Sequence, residues 1–209
     1  MKRGMLILSL VFVLTNAFSQ YFKGGLMPAF NVSQITGDNM VGYNKGGLLL
    51  GTFVEHDVNE LISLRMELNY TQKGSRRVIN EWGTGPGTWD LYRVNYLEIP
   101  IMMDHVIYNK FGVTGGLAFG LNVGEFYVDY YGTEDPNFSM AKKIESSFLL
   151  GGFYEYNERF EFFVRHQSSI FNFTTTENTP FWQFWGIVKR GYIHVMLSFG
   201  MRYYFGVKM

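Results

Sequence analysis

Apolar and polar side chains alternate for a dozen residues at a time along this chain, which restricts it to long β-strands with two unlike faces. In the last such segment Ile193, Val195, Leu197, Phe199, Met201, Tyr203 and Phe205 fall on one side. His194, Met196, Ser198, Gly200, Arg202 and Tyr204 fall on the other. Successive side chains of a strand point to opposite faces, so this pattern is one apolar and one mixed, smaller face. Leu61 to Lys73 repeats it, with Ile62, Leu64, Met66, Leu68 and Tyr70 against Ser63, Arg65, Glu67, Asn69, Thr71 and Lys73. In Phe111 to Val123, large residues alternate with Gly112, Thr114, Gly116, Ala118, Gly120 and Asn122, a face that lets large neighbours approach closely. Five less regular segments, Phe22–Ser33, Lys45–His56, Leu91–Val106, Lys143–Tyr156 and Arg159–Phe173, bring the expected strands to eight. Each is longer than the usual five or six residues and long enough to cross a bilayer at a tilt, which takes about 9 to 11.

The connections alternate in length. Asp57–Glu60, Ile107–Lys110 and Asn157–Glu158 are short, whereas Gln34–Asn44, Gly74–Asp90, Glu125–Lys142 and Thr174–Gly191 are long. Short turns at one end and long loops at the other are the arrangement of outer-membrane barrels, with the long loops extracellular. An even strand count puts both termini at the short-turn end.

The amino terminus reads as an address. Lys2 and Arg3 precede the apolar run Met5–Leu14, and Ala17 and Ser19 have cleavage-site spacing, so residues 1–19 are expected to be a secretory signal peptide and 20–209 the barrel domain. About ten apolar residues are too few for a helical span. Without Lys2 and Arg3 the chain has 16 basic and 18 acidic residues, giving no electrostatic case for nucleic acid. The absence of Cys excludes a disulfide framework and a Cys-ligated zinc. The 18% aromatic content argues against disorder. With no second long apolar run, an exported chain that enters a membrane must do so as a closed barrel.

Alternation alone does not say which face looks outward. A soluble barrel is apolar inside, and a membrane barrel is apolar outside. Arg65, Glu67 and Arg202 stand mid-strand among small polar residues, which suits a narrow interior. The opposite choice leaves Gly, Ala, Thr and Asn as an oddly charge-poor solvent surface on the fifth strand. Phe22, Phe30, Tyr70, Tyr203 and Phe205 lie near strand ends, where interfacial aromatic girdles belong. The fold expected is an all-β, eight-stranded, antiparallel up-and-down transmembrane barrel with polar residues inside. A barrel of eight strands is just wide enough for its own side chains to fill, so an open porin is not expected. Arg65, Glu67, Glu98, Arg165 and Arg202 are expected to pair internally because buried charge must; a gated polar path is the other reading of them.

Tyr96-Leu97-Glu98-Ile99-Pro100-Ile101 resembles the YLEIP strand of the PorT-like outer-membrane β-barrel family. Leu26–Ser33 is similar to that family's opening strand, Glu67–Gly74 to its E-L-x-Y-x-x-K-G strand, and Gly115–Gly120 to its G-G-x-x-G strand. The resemblance covers essentially the whole chain after residue 19. It implies an outer-membrane barrel and no reaction. One departure is the tail Gly206–Met209, which follows Phe205 where such barrels often end on an aromatic. Pro100 argues against a central strand, and a bulge near it is the expected accommodation, with Glu98 pointing inward.

His56, His105, His166 and His194 are scattered without metal-ligand spacing, and no catalytic, cofactor-binding or metal-binding residue is assigned. His166 and Ser168, which share a strand face with Phe162 and Val164, together with Glu177, faintly resemble the Ser, His and Glu set of outer-membrane lipid A deacylases. The same stretch also fits the PorT-like strand through Arg165, Ser169 and Asn172. Trp82, Trp89, Trp182 and Trp185 lie in or beside the two longest loops, and Thr179–Trp185 is densely aromatic. Such a cluster is either a surface for a glycan, a peptide or an envelope protein or a girdle on lipid, and its position against a strand favours the girdle. The expected role is structural, adhesive or secretion-accessory, for a monomer in contact with outer-membrane lipids. A lipid-modifying enzyme and a soluble periplasmic lipid-binding barrel are the alternatives.

Overall fold

A computed structural model describes residues 22–37, 42–77, 90–129, 131–175, 182–183, 188–189 and 192–206. The eight strands are β1 (Phe22–Thr36), β2 (Lys45–Asp57), β3 (Ile62–Arg76), β4 (Leu91–Tyr108), β5 (Phe111–Val128), β6 (Ile144–Glu155), β7 (Phe160–Ser169) and β8 (Ile193–Tyr204). Each pairs antiparallel with its sequence neighbours. β8 closes on β1 through rungs that include Phe30↔Phe199 and Gln34↔Val195. A separate two-residue ladder joins Trp182–Gln183 to Val188–Lys189.

The short connections are built from local hydrogen bonds. Asn59 Oδ1 accepts from the amides of Leu61 (2.9 Å) and Ile62 (2.8 Å). Asn157 Oδ1 does the same for Arg159 and Phe160, both at 2.9 Å. In the Asn109-Lys110 turn, Asn109 takes φ 51°, a conformation asparagine tolerates better than most residues.

Alternation resolves in the membrane sense. Leu64 is 48% exposed and Phe199 46%, whereas Glu67 is 2% and Arg202 0% exposed. The outward rows of β3, β4 and β5, namely Leu64, Met66, Leu68, then Leu97, Ile99, Ile101, then Leu117, Phe119, Leu121, make a continuous apolar exterior. Phe22, Tyr108, Phe111, Tyr156 and Phe205 ring the short-turn end, where amphipathic rings meet headgroups. The small face of β5 works as expected. A Cβ at Gly112 would lie 2.2 Å from the Phe153 ring, and one at Gly120 3.2 Å from that of Tyr96.

Three strand ends and one bulge need correction. β3 and β5 run past their expected ends, to Arg76 and Val128, while β7 stops at Ser169 instead of continuing to Phe173. The β4–β5 hairpin extends beyond the wall: its ladder reaches Leu91↔Val128, while the β5–β6 ladder ends at Leu121↔Ile144. Periodicity hides this extension because Tyr96 faces Asn122 and Asn95 faces Gly124, leaving Val123 as an extra residue that reverses the faces beyond it. Nor is there a bulge at Pro100. The β3–β4 register is the same below it (Met66↔Ile101) and above it (Asn69↔Glu98), with rungs missing only between. Proline lacks the donor for one neighbour, and its other side still pairs with Ala118. Pro28 sits in a similar gap, between Leu26↔Tyr203 and Ala29↔Gly200.

Candidate functional site

The inward rows carry charge in two tiers. Nearer the short turns, Glu67 accepts from Arg65 Nε (2.9 Å), Arg165 Nη1 (2.8 Å) and Asn69 Nδ2 (2.8 Å). Asp104 pairs with Arg65 and with Arg202 Nη1 (2.6 Å), and accepts from the Thr114 hydroxyl. Arg202 also pairs with Glu161, and its guanidinium lies 5.3 Å from the Phe153 ring centroid and 5.8 Å from that of Phe163. Glu55 stands 3.6 Å from Arg65 and accepts from the Tyr204 hydroxyl at 3.1 Å. Nearer the long loops, Lys73 Nζ lies 2.7 Å from both Glu98 and Glu145. Glu145 also takes the Ser169 hydroxyl (3.1 Å) and His194 Nδ1 (2.7 Å), and Gln167 Nε2 donates to Glu98 at 2.9 Å. Met102, Ala118 and Leu149 pack between the tiers.

All five residues expected inside are inside. Arg65, Glu67, Arg165 and Arg202 share the first tier, while Glu98 belongs to the second. Sequence alone does not single out Glu55, Asp104, Glu161, Glu145 or His194 as partners. Glu55, Asp104, Glu161 and Glu145 stand on segments whose alternation is too irregular to trust, whereas the side of His194 is legible on the regular last segment and only its partner is not.

At the loop end, Phe138–Ala141 pack against the mouth of the lumen as a cap, and their anchor is Glu125. Its carboxylate accepts from the amides of Met140 (2.8 Å) and Ala141 (3.1 Å), the Tyr92 hydroxyl (2.7 Å), Asn122 Nδ2 (2.9 Å) and the Ser139 hydroxyl (3.2 Å). Glu125 lies beyond Leu121, where the wall has ended. Burial alone would raise its pKa, but the Met140 amide, the Tyr92 hydroxyl and the Ala141 amide hold the carboxyl below the usual range. Ala141 bridges to Thr174, the Lys142 amide donates to the Phe173 carbonyl (2.6 Å), and Phe173 stacks on His194 at 3.7 Å. Tyr127, Phe138 and Tyr92 pack above this layer. At the opposite end an open vestibule of about 780 Å³, lined by Asp57, Glu60, Glu155, Lys110 and Arg159 among others, ends on Asp104 and Phe153.

His166 and Ser168 lie on the outward row of β7, opposite Leu150 and Phe148 of β6. The Ser168 hydroxyl is turned toward the Ser169 carbonyl at 3.5 Å. Glu177, Trp82, Trp89, Trp185, Thr179–Phe181 and the expected signal peptide (1–19) lie outside the described residues; Trp182 is described only as part of the small ladder. Among the described residues no three His, Asp or Glu side chains are grouped to hold a metal ion.

Among solved structures the chain is similar to the attachment invasion locus protein Ail of Yersinia pestis, at 12% identity and TM-score 0.51, over 88% of this chain and 99% of that one. Neisserial surface protein A is similar at 14% identity and TM-score 0.50, over 90% and 97%. Ail in complex with the heparin analogue sucrose octasulfate matches at 10% identity and TM-score 0.48, over 88% and 99%. The fold is that of the small outer-membrane barrels. No family model matches the chain, and no curated protein does either.

Proposed function

We propose that this chain is a closed outer-membrane barrel whose business is at its loops. It is an integral scaffold with a structural, adhesive or secretion-accessory role, surrounded by outer-membrane lipid and free to meet a glycan or an envelope protein at the extracellular end. The observation that carries this reading is the lumen, which has interlocked ion pairs along its length and a hydrogen-bonded cap over one mouth. A barrel so filled has no continuous aqueous route of the kind that porins use. The motif resemblance of Tyr96–Ile101 and Glu67–Gly74 supports placing it among PorT-like barrels. The test is electrical. Purified full-length protein reconstituted in planar bilayers should show no steady porin-sized conductance, and a stable, voltage-independent open level would end the scaffold reading.

Our reading is also non-enzymatic. In a strain carrying Ser168→Ala, lipid A acyl chains analysed by mass spectrometry should match those of the parent. Restored acylation in that strain would establish the deacylase alternative instead.

A further inference from the structure

At the loop end, the wall between β2, β3 and β4 holds a small basic cavity that the scaffold reading does not use. About 220 Å³ in volume, it is lined by Lys45, Gly46, Gln72, Arg76, Leu91 and Arg93. Among the described residues three cations line it and no carboxylate does. The ladders explain why it exists. The β2–β3 rungs run up to Leu49↔Thr71, although both strands continue to Lys45 and Arg76, so a seam opens between them. Lys45, on the inward row of β2 and only 3% exposed, enters this seam from the lumen side and donates to the Gln72 carbonyl at 3.0 Å, while Arg76 and Arg93 stand on the outward rows. Gly47 leaves it room, since a Cβ there would lie 2.5 Å from that carbonyl and 3.0 Å from Lys45 Nζ. On β4, Arg93 stands opposite Gly74, and Leu91 opposite Arg76. The Arg93 guanidinium lies over the Phe126 ring at 4.8 Å, and its Nε is buried without a hydrogen-bond partner.

The depth of the cavity on the wall matters. On the outward row of β3, Tyr70 and Leu68 come just below Gln72. On β4, Leu97 and Ile99 lie below Arg93 on the same row. The cavity therefore sits where the apolar wall gives way to the headgroup layer. Clustered like charges repel, and an anion placed among them offsets that repulsion while using the guanidinium donors. A guanidinium fork held by a ring is suited to phosphate oxygens, and an ammonium adds a point charge.

We propose that Lys45, Arg76 and Arg93 form a binding site for a phosphate group, carried by a lipid headgroup or free in solution. The experiment is native mass spectrometry of the full-length barrel refolded in detergent. The probes are diphosphoryl lipid A, the same lipid with its phosphates removed, and inorganic phosphate. Retention of the phosphorylated lipid at least about tenfold above the dephosphorylated one is expected, as charge-assisted hydrogen bonds would give. Retention of the lipid without inorganic phosphate assigns a lipid headgroup, and retention of both assigns a general phosphate site. Arg93→Gln and Lys45→Gln should each lower retention, with Arg93→Lys retaining more than Arg93→Gln. Heat-modifiable gel mobility reports whether each variant folds. Equal retention of the two lipids by the wild-type barrel, or undiminished retention by a folded Arg93→Gln variant, overturns the site.

Discussion

Arg202 shows how much one side chain holds in this lumen. It pairs with Asp104 and Glu161 and lies 3.9 Å from Glu55, while Phe153 and Phe163 pack against its guanidinium. Removing it leaves carboxylates buried without compensation, which costs far more than the net worth of an ion pair. Arg202→Ala should therefore destabilise the barrel by about 3–5 kcal/mol, read as a lower urea midpoint in vesicles; a loss under 1 kcal/mol would mean water already screens the tier. At this scale the sequence was legible in direction and not in partnership. Period two gave the side of the wall for Arg65, Glu67, Glu98, Arg165 and Arg202. It did not say that Arg165 meets Glu67 across 98 residues of chain, because that contact depends on the tilt and register of strands far apart in sequence.

At the scale of the element, the extra residue Val123 decides the loop end. Carried on without it, the outward row Leu117, Phe119, Leu121, Val123 would place Glu125 on the wall's exterior. The bulge turns Glu125 over the mouth, where it gathers the cap. Deleting Val123 should return Glu125 to the outer face and open the Phe138–Ala141 stretch to protease while the barrel stays heat-modifiable; an unchanged cleavage pattern would show that the cap has another anchor. The depressed pKa of Glu125 carries a pH dependence of the same sign as other hydrogen-bonded carboxylates. Its contribution is fully present above the ordinary carboxylate pKa of 4.5 and is lost as pH falls through the lower folded value. The protection of the Met140 and Ala141 amides relative to their intrinsic exchange rates should fall on acidification below that range, and Glu125→Gln should remove most of the dependence. Hairpins with short turns were legible because local asparagine chemistry fixes them. The upper ends of β5 and β7 were not, because a bulge resets the period of β5 and a fold-back follows β7, while β3 runs on in register beside β4 past the glycine at 74 where the sequence suggests a loop.

For the whole molecule, the orientation of the greasy face was legible because mid-strand charges had nowhere else to go, and the strand count bounded the bore. The stoppered mouth was not, since it depends on contacts between loops that carry no period. Absence of conductance in planar bilayers is the expected consequence of both. The two tiers bear on assembly as well. Arg165 on β7 is matched on β3, Arg202 on β8 is matched on β4 as well as on its neighbour β7, and Lys73 on β3 is matched on β6 as well as on its neighbour β4. A partly inserted sheet would therefore present naked ions to acyl chains, an expensive state in a bilayer. Passage into the membrane and meeting of the first and last strands are then expected as one concerted event, with the β7–β8 hairpin kept in a polar setting until Glu67 and Asp104 arrive from β3 and β4.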